Sequence, residues 1–206
     1  ASGSCPLHPD KLKRMLEEVL AESGIELIYA SLPIAVMERA GRTSGLVIAN
    51  KSGRQAVPAR YVIDATETAL CAALCGEDVS RYRPGAKALY FRTLEFTNLQ
   101  TGELTDRWLT VPDDLGIAGN RVRLREGVRG GDHGYVEFAL ELDSANSLEA
   151  NRERECLARR VGFRLAAHLI GAVPAFRKAF FAGSSYELHG PFRLIDAADG
   201  GGSDAD

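Results

Sequence analysis

Residues 59–76 read "ARYVIDATETALCAALCG". The apolar run Tyr61-Val62-Ile63 ends in Asp64. Ala65 and Thr66 follow, and then a small-residue stretch with helical spacing that Gly76 closes. A buried strand that turns at once into a helix is a connection by which α/β proteins hold phosphate-bearing ligands. The same residues have a plainer reading. Asp64 and Thr66 carry short oxygen-bearing side chains that accept hydrogen bonds from the free N–H groups of a first helical turn. These residues alone leave both readings open.

Toward the N-terminus, Leu12, Met15, Leu16, Val19 and Leu20 recur at three- and four-residue steps. They predict a helix from Pro9 to Ser23, with Gly24 where a terminating glycine belongs. "IELIYA" (25–30) and "LPIAVMER" (32–39) predict strands on either side of a kink at Ser31 to Pro33. Proline withholds a ladder donor, so Pro33 marks an edge, a bulge or an irregular crossing. "AGRT" (40–43) and "KSGR" (51–54) turn the chain between short β runs, which predicts a β-meander ending in "QAVPARYVIDAT" (55–66).

Toward the C-terminus, "ALYFRTLEFTNL" (88–99), "LTDRWLTVP" (104–112), "NRVRLRE" (120–126) and "HGYVEFALEL" (133–142) alternate apolar with polar residues between Gly, Asp and Asn turns. They predict a mostly antiparallel sheet. A long helix follows within 144–171, with Ser147 as its N-cap and Glu149 in its first turn. Pro174 predicts the start of a short helix, and "SSYELHGPFRLI" (184–195) one more strand. The fold class is therefore α+β, with an α/β-derived first part. The expected division is a β-meander lobe with helices over 1–80, an antiparallel β-rich lobe with helices over 81–195, and a flexible tail over 196–206.

Composition narrows the function classes. With 25 basic against 28 acidic residues, the net charge of −3 gives no electrostatic case for nucleic acid. The chain has no run of about 18 apolar residues, so no membrane span is expected. "ASGSCPLHPD" has no basic and apolar leader character and reads as an interior cut. Cys5, Cys71, Cys75 and Cys156 form no CxxC pair, and the four histidines are scattered, so no metal site is expected. Buried free thiols fit a reducing compartment, and a cytoplasmic location is expected.

The stretch from Asp10 to Gly76 resembles the middle of bacterial FAD-dependent oxidoreductases of the glutathione-reductase-like superfamily. "GIELIYA", the crossing "SLPIAV", the meander and the return ending in "DAT" carry the resemblance. "ECLARRVGFRLAAHLIGAVPAFRKA" is a weaker echo of a long helix in the same proteins. The resemblance implies FAD as cofactor. It places backbone groups of Ser31, Leu32 and Pro33 toward the adenine, with Ala65, Thr66 and Glu67 lining the nucleotide from the other side. It also implies that the antiparallel half supplies a substrate-binding wall.

Departures from the family pattern are specific. The phosphate-cradling GxGxxG is absent, as is the second flavin-contacting segment, and Glu67 stands where the family has glycine. A glutamate beside a pyrophosphate is repelled. The chain is therefore expected to be an interior fragment of a longer flavoprotein acting on a small organic substrate, with FAD binding weak or absent in this chain alone. A fragment exposes apolar surface, so self-association is expected. The rival class is a non-enzymatic β-rich binding module, which the missing GxGxxG motivates.

No residue earns a catalytic role from sequence. Trp108, His133, Tyr135, His189 and Arg193 are the polar or aromatic residues able to face a ligand. Trp108 reads more readily as core or interface, and His133, in "GGDHGY", as an exposed turn histidine. No GxSxG marks a nucleophile.

Overall fold

The computed structural model describes residues 7–66, 69–77, 87–100, 107–144 and 147–190. Glu67, Arg193 and Cys5 lie outside the described residues. The elements in chain order are α1 (Pro9–Glu22), β1 (Leu32–Arg39), β2 (Arg42–Asn50), β3 (Gly53–Pro58), α2 (Leu70–Leu74), β4 (Lys87–Thr97), β5 (Arg107–Thr110), β6 (Arg121–Glu126), β7 (Gly134–Asp143), α3 (Leu148–Ala172) and β8 (Phe180–Ser184). Helices and two antiparallel sheets make an α+β protein. The chain divides into two compact units, and the described residues from 87 to 190 belong to one and 18 to 77 to the other. The division falls within α1, after Glu17.

The smaller unit is built on the sheet β1-β2-β3, in which every neighbour is antiparallel. Ala40 and Gly41 both take positive φ, 54° and 72°, which supplies the twist of a tight hairpin between β1 and β2. β1 is an edge strand, and its register slips between Pro33 and Ala35, where proline has no N–H to give. α1 ends as its sequence predicts. Gly24 has φ 71°, and the Ile25 N–H returns to the Leu20 carbonyl at 3.1 Å.

Two expected strands do not form. Residues 25–29 and 61–66 have no ladder partner among the described residues. Tyr61 and Ile63 are 88% and 91% exposed. Both runs have strand composition, but a strand exists only where a second strand takes its backbone hydrogen bonds. Leu12, Met15, Leu16 and Val19, the apolar stripe of α1, are also exposed.

The larger unit is a five-stranded sheet in the order β5-β6-β7-β4-β8, antiparallel throughout. Alternation sorts its residues onto two faces. Tyr90, Arg92, Leu94 and Phe96 of β4, Val122 and Leu124 of β6, and Val136, Phe138 and Leu140 of β7 are buried. Against this face lies α3, burying Ala158, Val161, Gly162, Leu165, Ala166 and Leu169, a stripe at three- and four-residue steps. Gly162 allows close approach, since a Cβ there would sit 3.3 Å from Leu94 Cδ2. Removing Leu165 to alanine from such a core costs about 2–5 kcal/mol. Ser147 caps α3 as expected, its hydroxyl accepting from Ala150 N at 3.1 Å.

Phe176 enters the core from a 3-10 turn at Pro174–Phe176, where the sequence predicts a short helix. Its ring meets Phe96 edge-on at 5.0 Å. The last strand also differs from expectation. β8 occupies Phe180–Ser184; of the expected strand over 184–195, residues 191–195 lie outside the described residues, and among the rest a single bridge, Phe91 to His189, extends the pairing. Phe181 pairs with Phe96 in register, and its ring lies 5.6 Å from that of Phe96, which anchors β8 along β4.

Candidate functional site

The segment Asp64 to Thr66 is a hydrogen-bonded cap. Asp64 Oδ1 accepts from Thr66 N at 2.9 Å and from the Thr66 hydroxyl at 2.6 Å. Its other oxygen accepts from Ala72 N at 3.0 Å, and Thr66 Oγ1 accepts from Leu70 N at 2.9 Å. Ala69, the formal N-cap of α2, has no side-chain oxygen, so Asp64 and Thr66 do this work from a distance. The Thr66 hydroxyl hydrogen bond, with the backbone donors, holds the Asp64 carboxyl below its ordinary value of 3.8. Asp64 is therefore an anion at neutral pH.

The helix-start donors at Leu70 and Ala72 are already engaged, and a carboxylate sits among them. Such a turn does not cradle a pyrophosphate. Ala65 and Thr66 are exposed.

On the other stretch, Ser31 donates to the Tyr29 carbonyl at 3.1 Å and accepts from Asn50 Nδ2 at 3.1 Å. Leu32 and Pro33 open edge strand β1, paired to Ala49 and Ile48. α2 lies against β1, so packing brings the two stretches into one unit. No hydrogen bond joins them among the described residues. Each is flanked by an alanine in the left-handed region, Ala30 at φ 49° and Ala69 at φ 46°. A non-glycine residue held there costs about 1–2 kcal/mol. Cys71, buried on α2, is pushed upward by burial, with Asp64 and Cys75 adding, so it stays a thiol and no nucleophile. Cys75 and Cys156 are exposed, which corrects the expectation of buried thiols.

In the larger unit, the face of the sheet opposite α3 carries the polar and aromatic side chains. Trp108 is 57% exposed there, and the Arg121 guanidinium lies 5.0 Å over its ring. These two, with Leu89, Phe91, Glu137 and Ala139, line a cavity of about 310 Å³. Trp108 is thus neither core nor hidden. His133 departs from its expectation in the opposite direction, being 1% exposed. Its Nδ1 accepts from Arg129 N at 3.2 Å, so its hydrogen resides on Nε2, which donates to Glu95 Oε1 at 2.8 Å. Gly127 permits this, because any Cβ there would lie 2.1 Å from His133 Nδ1.

Glu95 faces the open side of β4, opposite Tyr135 in register, and the Tyr135 ring meets His133 edge-on at 5.0 Å. Burial, with Glu95 adding, raises the Tyr135 phenol, which remains a donor at neutral pH. A fixed carboxylate beside a protonated phenol can orient a polar substrate or hold a proton. Sequence reading named His133 and Tyr135 but missed Glu95, which is separated from His133 by 38 residues. The parity of Tyr90, Arg92, Leu94 and Phe96 was the available signal for another oddity, an arginine on the apolar face. His189 is exposed and joins β4 through its backbone.

Comparison with known proteins adds three findings. The family model described as FAD dependent oxidoreductase matches residues 1–182. No curated protein matches the chain. Among solved structures, a geranylgeranyl bacteriochlorophyll reductase-like protein from Thermoplasma acidophilum has a similar fold, with a TM-score of 0.59 at 15% identity. The likeness covers 89% of this chain and 42% of that one, so the chain spans less than half of that structure's length.

Proposed function

The chain belongs to the FAD-dependent oxidoreductase family, and from that premise we propose that it serves a flavoenzyme acting on a small organic substrate. The match over residues 1–182 carries this reading and favours it over a non-enzymatic binding module. FAD is the family's cofactor, and when bound it supplies the two-electron chemistry.

Ser31, Leu32, Pro33, Ala65, Thr66 and Glu67 are the proposed nucleotide-bordering residues. Two observations support them: the left-handed alanines that flank both stretches, and the exposed surface of Ala65 and Thr66. Strained backbone of this kind gathers at ligand sites. Because the Asp64 cap uses the helix-start donors, the phosphate grip is proposed to come from polypeptide outside residues 1–206. The open sheet face is the proposed substrate wall. Trp108 supplies a flat surface, Arg121 a cation, and Glu95 with Tyr135 a polar anchor held by His133.

The test is a flavin titration. The 206-residue chain alone should be colourless and leave FAD fluorescence unchanged. In the full-length protein, Thr66→Trp should weaken FAD binding by blocking the nucleoside, by about tenfold or more. Glu67→Gly should leave affinity unchanged or improve it by about 1–2 kcal/mol. If neither substitution moves the FAD dissociation constant, Asp64 to Thr66 is a helix cap only.

A further inference from the structure

We propose that the cleft between α3 and the β4–β8 edge is a second ligand site, and that it takes a small carboxylate borne on an aromatic ring. It lies on the helix side of the sheet, across from the Trp108 cavity. Its volume is about 200 Å³. Arg92, Arg159 and Ser184 give it polar atoms, while Leu94, Phe163 and Phe181 give it apolar walls.

Arg92 is the reason for assigning a ligand. It sits on the apolar face of β4 and is 2% exposed. Its Nη1 donates to Glu155 Oε2 at 3.0 Å, and its Nη2 to the Ser185 carbonyl at 2.9 Å and the Tyr186 carbonyl at 3.4 Å. The Nε–H has no acceptor among the described residues. A buried donor left unmatched costs about 1–3 kcal/mol, and native structures rarely leave one so.

Glu155 cannot supply the missing partner. Its Oε2 is held by Arg92 and lies 3.7 Å from Arg159 Nε, and its Oε1 accepts from Leu188 N at 2.6 Å. Two guanidinium groups therefore share one carboxylate beside an unmatched donor. A second carboxylate satisfies both.

Size and wall chemistry select the rest of the ligand. A cavity of about 150 Å³ accommodates benzene, so about 200 Å³ suits one ring with its carboxylate. Phe163 and Phe181 meet edge-on at 5.6 Å, and Phe163 is largely exposed, which places aromatic surface at the mouth.

Gly183 provides a clean obstruction. It lines the cleft, its φ is not in the left-handed region, and an added Cβ meets nothing within 4 Å. A valine there fills ligand space without straining the strand.

The experiment titrates the 206-residue chain with benzoate and with neutral benzyl alcohol, by calorimetry and by the arginine Nε–H signals in NMR. Benzoate is expected to bind one to one, about tenfold more tightly than benzyl alcohol, and to move a buried arginine Nε–H signal. Gly183→Val should weaken benzoate by about tenfold or more. Arg159 is exposed, so Arg159→Gln keeps the fold; it should weaken benzoate about threefold and leave benzyl alcohol unchanged. Equal affinities for the two probes, a Gly183→Val protein that binds benzoate normally, or no saturable benzoate binding would each overturn the proposal.

Discussion

Replacing Gly127 with alanine tests how Glu95 is held on the open sheet face. An ideal Cβ at Gly127 would lie 2.1 Å from His133 Nδ1, 2.4 Å from Cγ and 2.7 Å from Cε1. Ordinary contact is about 3.5 Å, so the ring must retreat by roughly 1 Å or more. His133 has no free direction in which to go. Its Nδ1 is held by Arg129 N at 3.2 Å and its Nε2 by Glu95 at 2.8 Å, in a site 1% exposed. Overpacking of this kind costs about 1–3 kcal/mol, and loss of one hydrogen bond adds about 1 kcal/mol. Gly127→Ala should therefore destabilise by about 2–4 kcal/mol, lowering Tm by roughly 5–15 °C. Urea unfolding of the two proteins gives the number. His133→Ala supplies the control, because the vacated ring leaves room for the new methyl group. In that background Gly127→Ala should cost clearly less. A destabilisation under about 0.5 kcal/mol, or effects of the two substitutions that simply add, would refute the reasoning.

Asp64→Ala removes the acceptor for Thr66 and Ala72, and should cost about 1 kcal/mol at neutral pH. Because the folded carboxyl is held below its ordinary 3.8, its contribution is present above that value and is lost as pH falls through the depressed one. Wild type and Asp64→Ala should thus converge in acid, and a gap that persists unchanged there would contradict the cap. Gly45→Ala should destabilise the three-stranded sheet by about 2–4 kcal/mol, since its φ is 147° and a Cβ would lie 2.2 Å from the Val57 carbonyl oxygen. Hydrogen exchange along β1 to β3 reads that loss, and unaltered protection would count against it. The exposed apolar residues of α1, with Tyr61 and Ile63, should drive self-association at high concentration. Light scattering that reports a clean monomer would remove that expectation.

Local pattern and tertiary pairing divide the credit for this protein along a physical line. Elements fixed by short-range spacing were legible from sequence: the hairpin turn at Ala40-Gly41, the Gly24 terminus, the Ser147 cap, and the alternation of β4, β6 and β7. Each rests on residues a few positions apart, which is the range over which turn sterics, caps and strand alternation act. Tyr61-Val62-Ile63 and residues 25–29 had equally clear strand composition, yet neither acquired a ladder. Pairing depends on a distant strand, and no local preference supplies one. The same reason hid the site residues. His133 reads as a turn histidine until the fold closes Gly127 over its ring and sets Glu95, 38 residues away, against its Nε2. Arg92 becomes a candidate ligand donor only once Glu155 and the Ser185 carbonyl have taken its other nitrogens. Sequence determined which segments had the means to form structure and which family they resembled. Tertiary structure alone decided which donors were already engaged and which remained open, because hydrogen-bond satisfaction depends on neighbours that sequence distance does not reveal.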